Sequence, residues 1–153
     1  MPKEEIRTLQ ALGGEAAHEG PPILLKLDDI RKKYPKSLYA QFVYFQTLYF
    51  FKFETEITKL AEILEKQFPD EVLVNCIKAD LYLKERQFDL FLDCFSHAEA
   101  LKGSFPKRRI FFFEEALFFH LLWGKYHAEK GDFFQHQKHV DFLQLLSKTY
   151  HLK

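Results

Sequence analysis

The sequence has no excess of charge of either sign. Its 153 residues include 22 lysines and arginines and 22 aspartates and glutamates, so the formal net charge is zero. Proteins that bind nucleic acids draw much of their affinity from an excess of basic residues that face phosphates. The balance therefore argues against a nucleic-acid partner, and also against binding to an acidic membrane surface.

Cysteines and long apolar runs are also scarce. A chain of this length buries roughly 70% of its surface without help from a disulfide, so Cys76 and Cys94 are predicted to be free thiols in a reducing cytoplasm. The first residues lack the apolar core of a secretory signal. The densest apolar run, over positions 110–123, is shorter than the about 20 residues that a membrane helix needs. We therefore predict a cytoplasmic protein with no membrane span.

Motifs for catalysis and for cofactor binding are missing as well. Glu114 and Glu115 are adjacent, so a helix would point them to different sides, and no glycine-rich phosphate loop occurs. His136 and His139 lie one turn apart and His127 could approach them, but no cysteine or carboxylate stands at a diagnostic spacing. We interpret these histidines as a solvated helix face, with a histidine-based metal-binding protein as the alternative. Neither enzymatic activity, a metal nor another cofactor is predicted.

Aromatic residues are abundant instead. The chain has 18 phenylalanines and 7 tyrosines against 6 glycines and 1 methionine. Residues 38–53 hold the densest group. Aromatic side chains bury large areas and are frequent anchors of interfaces. A small helical domain lacks the interior volume for all of them, so we expect some to be exposed or covered by a partner.

Aromatic–proline pairs divide the chain at nearly regular intervals. These pairs are Tyr34-Pro35, Phe68-Pro69 and Phe105-Pro106, and the second interval is only slightly longer than the first. Proline interrupts a helix because it lacks the N–H and clashes with the preceding turn. The spacing therefore predicts an all-α chain of repeated helical units.

Apolar residues recur at helical spacing between these breaks. Residues 1–20 are predicted to form a mobile arm or a short, loosely docked helix that ends at Gly13-Gly14, and residues 21–153 to form the repeat domain. Ser37 is expected to cap one helix, Asp132 with Gln135 to cap the last, and Gly103 to end another. The basic residues 107–109, at the start of a helix, are interpreted as mainly solvated. The predicted helices span residues 23–33, 38–51, 55–67, 71–84, 88–101, 107–130 and 133–148.

One segment carries a family resemblance. Over about residues 21–148, and best from Val72 to Gly103, the chain resembles a tetratricopeptide repeat protein, in which a helix pair recurs about every 34 residues with small and aromatic residues at fixed sites. Trp123-Gly124 and Gly131-Asp132-Phe133 are similar to the family's turn motifs. The resemblance implies about three stacked antiparallel helix pairs in a right-handed superhelix. The matching small and aromatic residues are Ala79, Tyr82, Phe95 and Ala98.

The same resemblance implies a concave face lined by the first helix of each pair. The implied lining is aromatic and apolar, which suits an apolar or amphipathic helix of another protein. A structural role for these residues in packing between helices is the alternative. The partner-binding residues predicted in this way are Tyr39, Phe42, Gln46, Tyr49, Phe50, Leu73, Cys76, Asp80, Leu83, Phe113 and His120.

The leading hypothesis is therefore a non-enzymatic protein–protein interaction module. It would hold an apolar segment of a partner as an adaptor or chaperone, and the chain is similar in length and pattern to the export chaperones of type III secretion. The second hypothesis is a structural protein whose aromatic faces form a homo-oligomer.

Overall fold

The computed structural model describes residues 1–151, with side chains up to residue 149, and this part of the chain is helical with no β-strand. The predicted all-α class is confirmed. None of these helices is long and apolar enough to cross a membrane. In chain order, the helices are α1 (Lys3–Glu19), α2 (Ile23–Lys33), α3 (Leu38–Phe50), α4 (Glu54–Gln67), α5 (Val72–Lys84), α6 (Phe88–Cys94), α7 (Leu101–Ser104), α8 (Phe113–Glu129) and α9 (Phe133–His151).

The helices form two compact units. The first unit spans Met1–Phe68 and the second begins at Pro69. Within the first unit, α1 packs against α2 and α3, and α3 packs against α4; within the second, α5 packs against α6 and α8, and α8 against α9. With α1–α2, α3–α4, α5–α6 and α8–α9 taken as helix pairs, the first helix of one pair contacts the first helix of the next pair within each unit, as α1 with α3 and α5 with α8. The superhelical arrangement itself stays a prediction.

The first unit is held by an aliphatic cluster that includes α1. Residues Leu9, Leu12 and Ala16 are buried there. The prediction that Gly13-Gly14 ends this helix is wrong, because α1 continues to Glu19. A glycine within a helix costs only about 1 kcal/mol, and burying a leucine stabilises by about 1.5–3 kcal/mol. The complete cluster is Leu9, Leu12, Ala16, Ile23, Leu27, Ala40 and Val43.

Helix α3 begins at the predicted cap. The Ser37 hydroxyl accepts a hydrogen bond from the Ala40 N–H at 3.3 Å. The helix ends without a glycine, because Lys52 takes the left-handed backbone conformation with φ of 60°. The N–H of Phe53 then donates to the Leu48 carbonyl at 3.0 Å, which closes the helix end in the way that a C-terminal glycine usually does.

The C-terminal end of α5 has the same geometry as that of α3. Arg86 has a φ of 57°, and the Gln87 N–H donates to the Tyr82 carbonyl at 2.8 Å. The starts of α3 and α5, at Leu38 and Val72, are separated by the same interval as the first two aromatic–proline pairs. The predicted period is therefore present in the backbone of α3–α6.

The second unit has an aromatic core. Phe91, Phe95, Phe119 and Trp123 are almost fully buried. Phe91 meets Trp123 edge to face with ring centroids 5.2 Å apart, and Phe95 meets Phe119 in the same way at 4.9 Å. Edge-to-face pairs add about 0.5–1.5 kcal/mol to the energy of area burial. The remaining buried members of the cluster are Val72, Cys76, Ala79, Leu83 and Leu122.

Two predicted helices of this unit are shorter than expected. The helix over 88–101 ends at Cys94, since Ser96 and His97 both have left-handed φ values of 51° and 58°. Gly103 therefore does not end that helix but lies inside the short helix α7. The single helix over 107–130 is also wrong, because α8 begins only at Phe113.

The late start of α8 has a polar cause. The Glu115 carboxylate is buried and accepts the Phe112 N–H at 2.8 Å, which occupies a donor that the helix itself leaves unpaired. Arg108 binds both oxygens of the same carboxylate, at 2.8 and 3.1 Å. Arg108 is therefore an internal ion-pair partner and not the solvated residue that the sequence suggested. Downstream, the Asp132 cap is confirmed, since its carboxylate accepts the Gln135 N–H at 3.1 Å.

Candidate functional site

The predicted partner-binding residues of α3 are mostly exposed. The exposed fractions of Tyr39, Tyr49 and Phe50 are 37%, 37% and 58%, and Gln46 is exposed beside them. Phe42 is the exception, because it is buried and its ring lies 6.1 Å from that of Phe45. Four of the five residues predicted on this helix therefore present a surface.

The predicted residues of α5 do not present a surface. Leu73, Cys76, Asp80 and Leu83 are all buried, so the expectation that they line an open face does not fit the structure. Asp80 pairs with Lys84 at 3.2 Å. Burial raises the pKa of the Cys76 thiol well above its usual value, which makes it an unreactive packing residue.

The predicted residues of α8, Phe113 and His120, are half-buried. His120 is directed toward α9, where its ring lies 4.2 Å from that of Phe142. It is therefore part of the packing between α8 and α9. Both cysteines are free thiols, as predicted.

A groove of about 430 Å³ lies between α1 and α3. Among the described residues, no charged side chain contributes to its lining. The α1 side of the groove consists mainly of small residues, and the α3 side carries the aromatic ones. Its lining residues are Leu9, Gln10, Gly13, Gly14, Ala16, Ala17, Tyr39, Val43, Gln46, Thr47 and Phe50.

Helix α1 is the part of this groove that the sequence analysis missed. The two glycines appeared to end the helix, whereas they actually lie on the groove wall. Leu9, Leu12 and Ala16 follow the spacings of three and four that mark one buried helix face. This spacing is visible in the sequence, and it indicates that α1 packs against the other helices of its unit.

The second unit contains a cluster of polar side chains. His127 lies on α8, His139 on α9, and Glu99 in the turn that follows α6. The Nε2 atom of His127 is in close hydrogen-bond contact with Oε1 of Glu99, and Nε2 of His139 lies 3.4 Å from the same oxygen. Behind them, Nδ1 of His120 is 3.1 Å from Nδ1 of His139. We call Glu99, His127 and His139 the histidine–glutamate cluster.

The surroundings of the cluster lower the pKa values of His120, His139 and Glu99. Burial, together with the neighbouring His139, lowers the pKa of His120 to about 4. Burial also lowers the pKa of His139, although Glu99 acts in the opposite direction. For Glu99, burial opposes ionisation, but the hydrogen bonds from His127 and His139 outweigh it, so that its pKa is lowered. Near pH 7, His120 and His139 are therefore neutral and Glu99 is ionised.

The interpretation of His127, His136 and His139 as a solvated helix face is wrong for two of them, because His127 and His139 are buried between α8 and α9. Glu99 was not expected near them. One ligand-type atom from each member of the cluster lies within 4.8 Å of the others. Glu99 is far from both histidines along the chain and stands in a turn that was predicted to be helical. The left-handed backbone at Ser96 and His97 ends α6 early and allows Glu99 to reach α8 and α9. No residue spacing in the sequence indicates this early end.

Known proteins do not decide between the groove and the cluster. Comparisons with family models, with curated proteins and with solved structures find no match to this chain. The function is therefore argued from the geometry of the two sites.

Proposed function

We propose that this chain is a non-enzymatic interaction module that holds an amphipathic helix of another protein in the groove between α1 and α3, as an adaptor or chaperone. The observation that carries the proposal is the exposure of Tyr39 and Phe50 beside a wall that contains Gly13 and Gly14. Large exposed rings next to small residues create a recess that accepts bulky side chains.

The lining of the groove indicates the chemistry of its occupant. None of the described residues that line the groove is charged, and Leu9, Ala16 and Val43 form an apolar part of the lining, against which an occupant can place apolar groups. Gln10 and Gln46 contribute amide groups to the lining, and both are exposed, so they can hydrogen-bond to the polar side of the occupant. An amphipathic helix, read by apolar anchors one turn apart, combines these two properties.

The groove aromatics also resemble the energetic centre of an interface. Tyrosine is one of the residue types enriched among interface hot spots, and aromatic residues in general are enriched at interfaces. Tyr39 and Phe50 both line the groove and lie about three turns apart on α3, so one partner helix could contact both. A second copy of this chain is the alternative occupant of the groove. The crosslinking experiment described next distinguishes it from a different protein.

Site-specific photo-crosslinking in cells that naturally make the protein tests the proposal. A photoreactive phenylalanine analogue replaces Phe50 in one variant and Leu25 in the control. Leu25 is 72% exposed on α2 and does not line the groove. We expect crosslinks from position 50, but not from position 25, to an apolar helical segment of a different protein.

A synthetic peptide of the crosslinked segment then allows affinity to be measured. Phe50→Ala should weaken binding at least tenfold, which is about 1.4 kcal/mol, whereas Leu25→Ala should leave it unchanged. Crosslinks to the chain's own residues, together with a dimer in solution, would replace the proposal with self-association. Equal crosslinking from both positions would reject the groove as a binding site.

A further inference from the structure

We propose that Glu99, His127 and His139 form a binding site for one zinc ion, with water completing the coordination. The site lies entirely within the second unit and does not depend on the groove between α1 and α3. Two imidazole nitrogens and one carboxylate oxygen are a common protein ligand set for zinc. The inference goes beyond the interaction role proposed above, because it assigns the second unit a ligand of its own.

The spacing of the donor atoms is close to what a zinc ion needs. With bonds of about 2.0–2.1 Å, the ligand atoms of a tetrahedral zinc site are roughly 3.3 Å apart. Nε2 of His139 and Oε1 of Glu99 are 3.4 Å apart, which matches this edge. Nε2 of His127 is closer to the same oxygen, so ion binding has to separate that pair. All three donor atoms already lie within 4.8 Å of one another.

The histidine rings are held in place by packing. Both His127 and His139 are less than one-tenth exposed. The ring of His127 stacks on Trp123, with centroids 5.8 Å apart, and on His139, at 5.7 Å. Such fixed rings lose little freedom when they bind an ion.

His120 supplies the outer partner that a histidine ligand requires. When Nε2 of His139 binds a metal, its proton stays on Nδ1, and that N–H needs an acceptor. Nδ1 of His120 lies 3.1 Å away and is placed to accept it. His120 is therefore a positioning residue for the ligand and not a ligand itself.

The carboxylate leaves a route for the ion. The Glu99 side chain is 42% exposed, whereas the side chains of the two histidines are 11% and 10% exposed. An ion can therefore enter from the side of Glu99. Once bound, it joins the turn after α6 to α8 and α9, and water occupies the remaining position that faces solvent.

Zinc titration of the full chain, purified without a polyhistidine tag, tests the proposal. Zinc content is measured after dialysis, and affinity is measured by competition with a coloured chelator. We expect one zinc ion per chain. Glu99→Gln keeps the shape of the side chain and should weaken binding at least tenfold. His97→Asn is the matched control, because His97 lies in the same turn but is exposed and pairs with Asp93, and asparagine tolerates the left-handed backbone of this position.

Two further measurements keep the proposal falsifiable if a variant is unstable. Co²⁺ added to the unaltered chain should give the strong visible absorption of a four-coordinate site, and His139→Gln should lose it while circular dichroism remains helical. His120→Phe should weaken zinc binding about 10–100-fold, as loss of an outer partner does. Zinc binding by Glu99→Gln equal to that of the unaltered chain, or no zinc retained by the unaltered chain, would overturn the proposal.

Discussion

The outer face of α3 in the first unit and the core of the second unit use aromatic residues in opposite ways. Tyr39, Tyr49 and Phe50 of α3 are exposed, and the cluster that joins α1 to α3 is aliphatic and built on Leu9 and Leu27. In the second unit aromatic rings form the core cluster and meet edge to face. The contrast concerns these two places and not every ring, because the first unit also buries Phe42 and Phe45 and the second also exposes Phe133 and Phe134.

The difference comes from the neighbouring elements and not from the aromatic residues. In the first unit Leu9, Leu12 and Ala16 of α1 fill the space beside α3, so Tyr39 and Phe50 stay at the edge of the groove between the two helices. In the second unit, Phe95 follows the end of α6 and its ring packs against Phe119 of α8. Aromatic content alone thus predicts neither a core nor a binding surface.

Truncation of one ring in each unit tests this contrast with the largest expected effect. Phe91 is fully buried and Phe50 is 58% exposed. Phe91→Ala should therefore lower the free energy of unfolding of the second unit by about 3–5 kcal/mol. Phe50→Ala should change stability by no more than about 0.5 kcal/mol. Trp123 is the single tryptophan, so its fluorescence during urea denaturation reports on the second unit.

Similar losses of stability in the two variants would break the contrast, because Phe50 would then be a packing residue. Circular dichroism follows the unfolding of both units. A loss of stability that circular dichroism detects and Trp123 fluorescence does not would show that Phe50→Ala acts on the first unit alone.

The starts of α8 and α3 offer a second, smaller contrast. Arg108→Ala removes both bonds to the buried carboxylate of Glu115 and should cost about 1–3 kcal/mol. Ser37→Ala removes one cap hydroxyl and should cost about 1 kcal/mol. Urea denaturation of both variants measures the difference. Arg109→Ala is the control for charge, because Arg109 is exposed and its loss should be nearly neutral.

The smallest effect concerns the two glycines of α1. A methyl group on Gly14 would meet nothing within 4 Å, whereas one on Gly13 would lie 3.3 Å from Cγ1 of Val43. Gly14→Ala should therefore stabilise the first unit by about 0.5–1 kcal/mol through helix propensity, and Gly13→Ala should gain less or lose stability. Thermal unfolding followed by circular dichroism compares the two. A larger gain from Gly13→Ala would contradict the close contact between α1 and α3.

The sequence predicted those parts of the fold that local chemistry determines. Ser37 and Asp132 cap the helices as expected, because a short polar side chain before an apolar run acts locally. Helical spacing alone does not show how wide the buried stripe of a helix is, and Ile63 of α4, although apolar, is 44% exposed. The end of α6 depends on the left-handed residues Ser96 and His97. The start of α8 depends on the buried pair of Glu115 with Arg108, which the apolar spacing does not indicate.

The two sites were predictable to different degrees. Tyr39, Gln46 and Phe50 were predicted through the resemblance to the repeat family, and the structure places them on one wall of the groove. The opposite wall at Gly13 and Gly14 was not predicted, because packing of α1 outweighs the cost of two glycines. For the histidine–glutamate cluster, a metal site was predicted from the sequence only as the alternative to a solvated helix face, and Glu99 joins the histidines only through the tertiary fold.

The left-handed residues at Lys52 and Arg86 have a consequence for engineering of the chain. Each turn is closed by backbone bonds, to Leu48 and to Tyr82, and not by a diagnostic glycine. Residues other than glycine pay about 1–2 kcal/mol for this conformation. A glycine at either position would remove that cost, so both turns are places where the chain can gain stability without a change of shape.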